Sequence, residues 1–321
     1  MQEWKTGSCN GSNNSNKCEG LPQELQMRLR VHHRTEYVYT APVIDSVNEV
    51  RLCPPDNSFQ TCDSSFISVV PTGKLTHYID LNGNKVNHFE IPEPHSRLTI
   101  ESRAVVTTRN KVNFDNLPFG FHHGHLGKCR SMEECYTYIQ DSAYVERTPE
   151  IWKEALDIQG FSEDVFQTSY CIMEYIFENY EYQSGATTVS THASEVIRNQ
   201  QGVCQDFAHA MVSFCRAIGI PARYVSGYFF DATRDNSMRG SEASHAWVEV
   251  FIDGVGWIGL DPTNNKVTDE TYIILARGRD YRDVAPVTGV YNGIGRSGMQ
   301  VHVSVKRLSD SEHTEVSVPV D

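Results

Sequence analysis

Residues 201–261 constrain this chain more than any other stretch. They read Gln-Gly-Val-Cys-Gln-Asp-Phe-Ala-His-Ala from Gln201, Ser-His-Ala-Trp-Val-Glu-Val from Ser244, and Gly-Trp-Ile-Gly-Leu-Asp-Pro-Thr from Gly256. A cysteine, a histidine and an aspartate each stand at the edge of a different secondary element. Those three side chains are the parts of a thiol nucleophile, its base and the group that orients the base.

Gly202 breaks the segment before Cys204. From there Phe207, Ala208, Met211, Val212, Phe214 and Cys215 recur at helical spacing until Gly219-Ile-Pro stops them. Cys204 is therefore expected at a helix N-terminus, where unpaired N–H groups and the positive end of the macrodipole favour a thiolate. Cys215 gains nothing from its position near the other end and reads as core. His245 opens a strand in which Ala246, Val248, Val250 and Ile252 alternate with Trp247, Glu249 and Phe251. Asp253-Gly-Val-Gly is a turn, Trp257–Leu260 returns antiparallel, and Pro262 forbids continuation beyond Asp261. A hairpin of this kind can set His245 beside Asp261. Bringing Cys204 to them is a task for the tertiary fold.

His209 lies five residues beyond Cys204, which at helical pitch turns it away from the thiol. It is expected as a core or supporting histidine rather than a base, and Asp206 likewise points elsewhere.

These segments resemble the transglutaminase-like superfamily of papain-like Cys-His-Asp enzymes, and in particular its bacterial branch of candidate cysteine proteases. The resemblance rests on Gly202–His209, His245–Val250 and Trp257–Thr263, and continues through Gly278-Arg-Asp-Tyr-Arg-Asp-Val-Ala-Pro286. It implies an α+β fold, a papain-like/transglutaminase-like catalytic core preceded by an antiparallel β-sandwich-like domain. It also implies catalytic roles for Cys204, His245 and Asp261. In the family an upstream residue helps hold the developing oxyanion, and Tyr182 is the candidate here, with simple packing as its alternative role. The expected chemistry is acyl transfer at an amide bond through an acyl-thioester, with peptide or amide hydrolysis favoured. Transfer to an amine acceptor is the alternative, and a non-catalytic binding module on the same fold is the alternative of another class.

The rest of the chain is mapped by composition and pattern. Residues 1–24 are rich in Asn, Ser and Gly and are expected to form a flexible arm. Residues 25–108 alternate in short runs between turn residues and form the β-sandwich-like domain, whose resemblance runs through Asn48-Glu-Val-Arg51 and Asp80–Asn84. Its expected role is substrate delivery or partner binding. Residues 109–147 connect it to a catalytic domain at 148–308, and an acidic tail follows at 309–321. Asp231–Ser244 is polar and reads as a mobile loop beside His245, and Thr191 is a plausible N-cap for the helix that follows it.

His122, His123, His125, Cys129 and Cys135 are metal-ligand types, yet their spacing matches no standard zinc site, so no metal and no cofactor are expected. Forty-one acidic against 28 basic residues argue against nucleic acid. No apolar run approaches a membrane span or a secretory core, so a cytoplasmic protein acting on a peptide or protein substrate is expected. Nine cysteines leave eight besides Cys204. Pairs such as Cys9–Cys18 or Cys53–Cys62 stay open, with free thiols expected in a reducing compartment.

Overall fold

The computed structural model describes residues 26–110, 117–231 and 244–309. The expected arm, most of the polar loop before Ser244, and the acidic tail beyond Ser309 lie outside the described residues.

The first domain is built on one 25-residue strand, β1 (Gln26–Val50). Its apolar residues alternate inward, and a register shift between Val38 and Val43, with Asp45 at φ 50°, bends it. The bend lets one strand serve two ladders. The N-terminal half pairs with β5 (His95–Arg109), which pairs in turn with β2 (Gln60–Val70). The C-terminal half pairs with β4 (Lys85–Ile91), and β4 with β3 (Thr76–Ile79). Leu29, Val31, Val50, Phe89, Ile91, Ile100 and Val106 form the buried core between the ladders.

A short helical stretch follows: a 3-10 segment at His123–Ser131, α1 (Glu133–Tyr136), then α2 (Pro149–Gln159) and α3 (Val165–Asn179). Thr148 and Asp164 cap α2 and α3 by accepting the Ile151 and Gln167 N–H groups. Next come β6 (Glu181–Tyr182), α4 (Ala193–Asn199), β7 (Gln201–Gly202) and α5 (Cys204–Ala217). His192, and not Thr191, is the N-cap of α4. The Thr191 hydroxyl is committed upstream, accepting the Thr188 N–H at 2.9 Å.

The second sheet consists of β8 (Ala222–Phe229), β9 (His245–Ile252), β10 (Gly256–Asp261), β11 (Lys266–Val267) and β12 (Tyr272–Gly278), in the order β11-β10-β9-β8-β12. Helix α5 packs on it, with Phe207, Met211 and Phe214 in one core with Ala246, Val248 and Val250. α6 (Tyr281–Val284) closes this half, and the chain then goes back to the first domain. There β13 (Val287–Asn292) and β14 (Ser297–Arg307) both pair antiparallel with β1. The second domain was expected to run to residue 308, but residues 287–307 complete the first sheet. Alternation identifies a strand without naming its partner, so this pairing across the chain is invisible in sequence.

The two halves share a core as well as a boundary, because Tyr228, Ile273 and Leu275 of the second sheet are buried among the first domain's apolar residues. Strand β12 is an edge, paired only with β8, and its outer backbone groups need partners. Side-chain amides from the first domain supply them. Gln60 Nε2 donates to the Ile274 carbonyl and Gln60 Oε1 accepts the Ile274 N–H, both at 2.8 Å. Asn84 repeats the device on Arg277, at 2.8 and 2.7 Å. Replacing Gln60 with leucine strands a buried donor and acceptor and should cost about 1–3 kcal/mol. A urea unfolding midpoint equal to that of wild type would show that the edge needs no such clamp.

Candidate active site

Cys204 begins α5, as its helical spacing requires, and Gly219 at φ 85° ends the helix, with the Gly219 N–H donating to the Arg216 carbonyl and the Ile220 N–H to that of Cys215. The entry turn is held by Asp206. Its Oδ2 accepts the Val203 N–H at 2.8 Å and the Thr187 hydroxyl at 2.6 Å. Only glycine fits before it, because a Cβ at position 202 would lie 2.5 Å from Asp206 Oδ2. Asp206 is buried with its second oxygen unpartnered, and burial raises its pKa. It shapes the turn that presents Cys204.

His245 and Asp261 meet as the hairpin geometry allows. Strand β9 pairs with β10 with Leu260 opposite Val248, and His245 Nε2 lies 2.8 Å from Asp261 Oδ2. Both side chains are fully buried, while Cys204 is only partly so. Burial alone would lower the His245 pKa, but the Asp261 charge and hydrogen bond overcome it, the Cys204 sulfur adds to them, and the pKa is raised to about 10. With Nε2 committed to Asp261, the sulfur contact falls to Nδ1, which has no well-formed hydrogen bond. Loose geometry of this kind is usual where a substrate has yet to tighten the site.

Asp261 is held by more than the histidine. Tyr272 donates its hydroxyl to Oδ2 at 2.9 Å and Asn264 its side-chain amide at 2.8 Å, while the Thr263 and Asn264 N–H groups reach Oδ1 at 2.9 and 3.3 Å. Burial pushes the Asp261 pKa up, yet His245 and these donors bring it below the ordinary carboxylate value. Around the imidazole, Trp247 stacks at 6.0 Å and 29°, and Phe229 meets its edge at 5.1 Å. Sequence reasoning missed Tyr272, Asn264 and Phe229. The Asp-Pro-Thr-Asn run is a turn signal that points to Asn264, whereas Tyr272 and Phe229 come from strands whose pairing has no local mark.

Tyr182 pairs with Gly202 through the two-stranded β6–β7 ladder, which brings it near the nucleophile turn, and its ring meets Phe207 edge-on at 6.1 Å. His209 is buried, and burial lowers its pKa to about 4, so its neutral ring accepts the Tyr281 N–H through Nε2 at 3.1 Å. It ties α5 to the start of α6, a supporting task consistent with its turn away from Cys204. The histidines and cysteines of residues 122–135 do not gather into one site. His123 is hydrogen-bonded to Thr168 at 2.8 Å, and Cys129 and Cys135 are buried in the core. Among the described residues no three His, Cys, Asp or Glu side chains come together as metal ligands. No described helix is long and apolar enough to cross a membrane.

A helix that offers an N-terminal cysteine to a hydrogen-bonded histidine and aspartate on an antiparallel sheet defines the papain-like class of α+β proteins. Two family models match: the transglutaminase-like superfamily over residues 155–262 and the bacterial transglutaminase-like N-terminal region over residues 29–107. An uncharacterised protein of Mycobacterium leprae is 32% identical over 286 residues, covering 88% of this chain and 99% of its own. A candidate cysteine protease from Cytophaga hutchinsonii superposes with a TM-score of 0.72 at 25% identity, over 91% of this chain and 95% of its own. A protein-glutamine gamma-glutamyltransferase of Pseudomonas aeruginosa is 37% identical over 67 residues, covering 20% of this chain and 10% of its own. The chain belongs to the transglutaminase-like superfamily, with the bacterial N-terminal region in front of the core. Members of this fold are typically enzymes.

Proposed function

We propose that this protein is a cysteine-dependent acyl-transfer enzyme that cleaves an amide bond, with a peptide as substrate and water as acceptor. The observation that carries the reading is the buried His245–Asp261 hydrogen bond at 2.8 Å with Cys204 on the remaining side of the ring. Cys204 sulfur adds to the amide carbonyl, the C–N bond breaks as His245 gives its proton to the departing amine, and an acyl-thioester remains. Water then adds with His245 accepting its proton, the C–S bond breaks, and the carboxylic acid leaves. Asp261 holds the ring and stabilises the imidazolium. The Cys204 N–H is the natural donor to the oxyanion, with Tyr182 as the second candidate.

The likeness to the Cytophaga protein supports hydrolysis. A second reading, in which an amine resolves the thioester, is favoured by the short stretch shared with the Pseudomonas enzyme. The two separate on incubation of a glutamine-containing peptide with and without a primary amine, read by mass. Peptide fragments are the expected products. An amine adduct formed with loss of ammonia would establish transfer instead. Iodoacetamide labelling tests the thiol itself: Cys204 should react ahead of the other cysteines below neutral pH, and ordinary reactivity with no product of either kind would leave a binding module.

A further inference from the structure

We propose that the cavity at the far end of α5 from Cys204 is a binding site for a small organic anion with an aromatic body. The site is separate from the acyl-transfer centre. Helix α5 is 14 residues long, so about 20 Å of helix lies between the thiol and the Ala217–Gly219 wall of the cavity. The cavity measures about 610 Å³, within the range of about 300–1,000 Å³ that small-molecule sites occupy.

Its lining runs against the charge of the whole chain. The protein carries 41 acidic and 28 basic residues, yet three arginines, Arg130, Arg147 and Arg216, face this space and no carboxylate lines it. Arg216 is buried, and its guanidinium is bonded to the neutral carbonyls of Gln140, Ala222 and Arg279 at 2.7–3.0 Å. The Asp280 carboxylate, whose charge reaches Arg216, accepts the Tyr144 and Arg282 N–H groups instead. Arg130 is exposed and makes no ion pair or side-chain hydrogen bond among the described residues. Arg147 holds Asp141 at 2.6 Å, but both side chains are open to water, where such a pair contributes little and an incoming anion can replace it.

Helix α2 turns a stripe into the same space. Ile151 and Ala155 are buried in the core, which leaves Trp152, Leu156 and Gln159, at i, i+4 and i+7, along the flank that lines the cavity. Trp152 is 50% exposed, and Tyr136 of α1 is 58% exposed. Two large rings standing half in water beside these guanidiniums fit a ligand that covers the rings while its anionic group meets arginine, whose planar fork binds carboxylate or phosphate in bidentate fashion. An inorganic anion would leave the rings uncovered, and a neutral aromatic would leave the arginines unmatched. Gln140, whose side-chain amide makes no hydrogen bond among the described residues, and the second ring nitrogen of His123, which meets Thr168 through Nε2 at 2.8 Å, remain for polar groups of the ligand.

Isothermal titration calorimetry of the full chain with phenyl phosphate tests the site. One equivalent should bind, while inorganic phosphate and phenol, the two halves of that probe, should each bind at least about tenfold more weakly. Trp152→Ala and the double variant Arg130→Ala/Arg147→Ala should each weaken the probe by about tenfold or more. Arg282→Ala, in the other cavity where arginines mix with Asp80 and Asp283, should leave its affinity unchanged. The substituted side chains are exposed, so urea midpoints close to that of wild type are expected. Should the arginine double variant fail to fold, Trp152→Ala alone decides. No saturable binding up to millimolar concentration, an affinity unmoved by the Trp152 and arginine variants, or equal binding of inorganic phosphate or phenol would each overturn the proposal.

Discussion

Replacing Asp261 with asparagine should lower turnover on an amide substrate by about three to four orders of magnitude while leaving the fold intact. Asp261 Oδ2 accepts from His245, Tyr272 and Asn264 together. An asparagine that turns its oxygen to two of these donors still lacks the charge that holds the imidazolium. His245 is raised to about 10 by that charge, against burial, so the protonated ring persists well above neutral pH in the wild-type protein. The variant should therefore lose the alkaline side of its pH–rate profile first, with the falling limb moving to lower pH as the imidazolium is lost. The His245 contribution to stability is complete below its unfolded value of 6.5 and is lost as pH rises through about 10. The Asp261 contribution is present above its unfolded value of 3.8 and is lost as pH falls through its depressed folded value. An Asp261→Asn enzyme with unchanged turnover and an unchanged alkaline limb would remove the His245–Asp261 pair from the mechanism.

Replacing Glu249 with glutamine should cost about 3–5 kcal/mol of stability at neutral pH. Glu249 lies on β9 with its carboxylate buried between two arginines. Arg223 Nε reaches it at 2.6 Å from β8, and Arg277 Nε and Nη2 reach it at 2.8 and 3.2 Å from β12. The carboxylate so ties together three strands of the sheet that carries His245. Removing its charge leaves two largely buried guanidiniums unmatched, of which Arg223 also stacks on Trp257 at 4.0 Å. Burial opposes ionisation, but the two arginines hold the Glu249 pKa down to about 2. Its stabilisation is therefore present above the unfolded value of 4.5 and disappears as pH falls towards about 2. The gap between wild type and variant, measured by urea unfolding, should be widest near neutral pH and narrow across that window. A gap that stays constant through it would show that the loss comes from packing and not from charge.

Much of the second domain is legible because its signals are local. The α5 stripe from Phe207 to Cys215 shows its periodicity within a few turns, and Gly219-Ile-Pro marks the stop. The β9–β10 hairpin announces itself by alternation, by Asp253-Gly-Val-Gly and by Pro262, so the approach of His245 to Asp261 follows from the chain's own turn. Position 209 is legible in the same way, since helical pitch alone turns it from the thiol towards α6.

Other features have no local signature. Nothing in Val301–Val305 says that its partner is Val31–Thr35, nor in Gln60 that its amide replaces a strand beside Ile274. Glu249 shares its strand face with Trp247 and Phe251, and only the arrival of Arg223 and Arg277 from neighbouring strands makes it a buried ion network. Tyr272 likewise is one more strand aromatic until the sheet order sets β12 across from Asp261.

The sequence by itself determined the helix that starts at Cys204, the hairpin that carries His245 and Asp261, and the strand-rich character of the first domain. Periodicity and turn chemistry act over a few residues and are written in the order of the chain. Only the tertiary structure decided that residues 287–307 close the first sheet, that Gln60 and Asn84 clamp the edge of the second, and that Tyr272 joins His245 on Asp261. Those contacts join residues from 11 to more than 200 positions apart, and which partners meet is selected by burial of the whole core and not by any one segment.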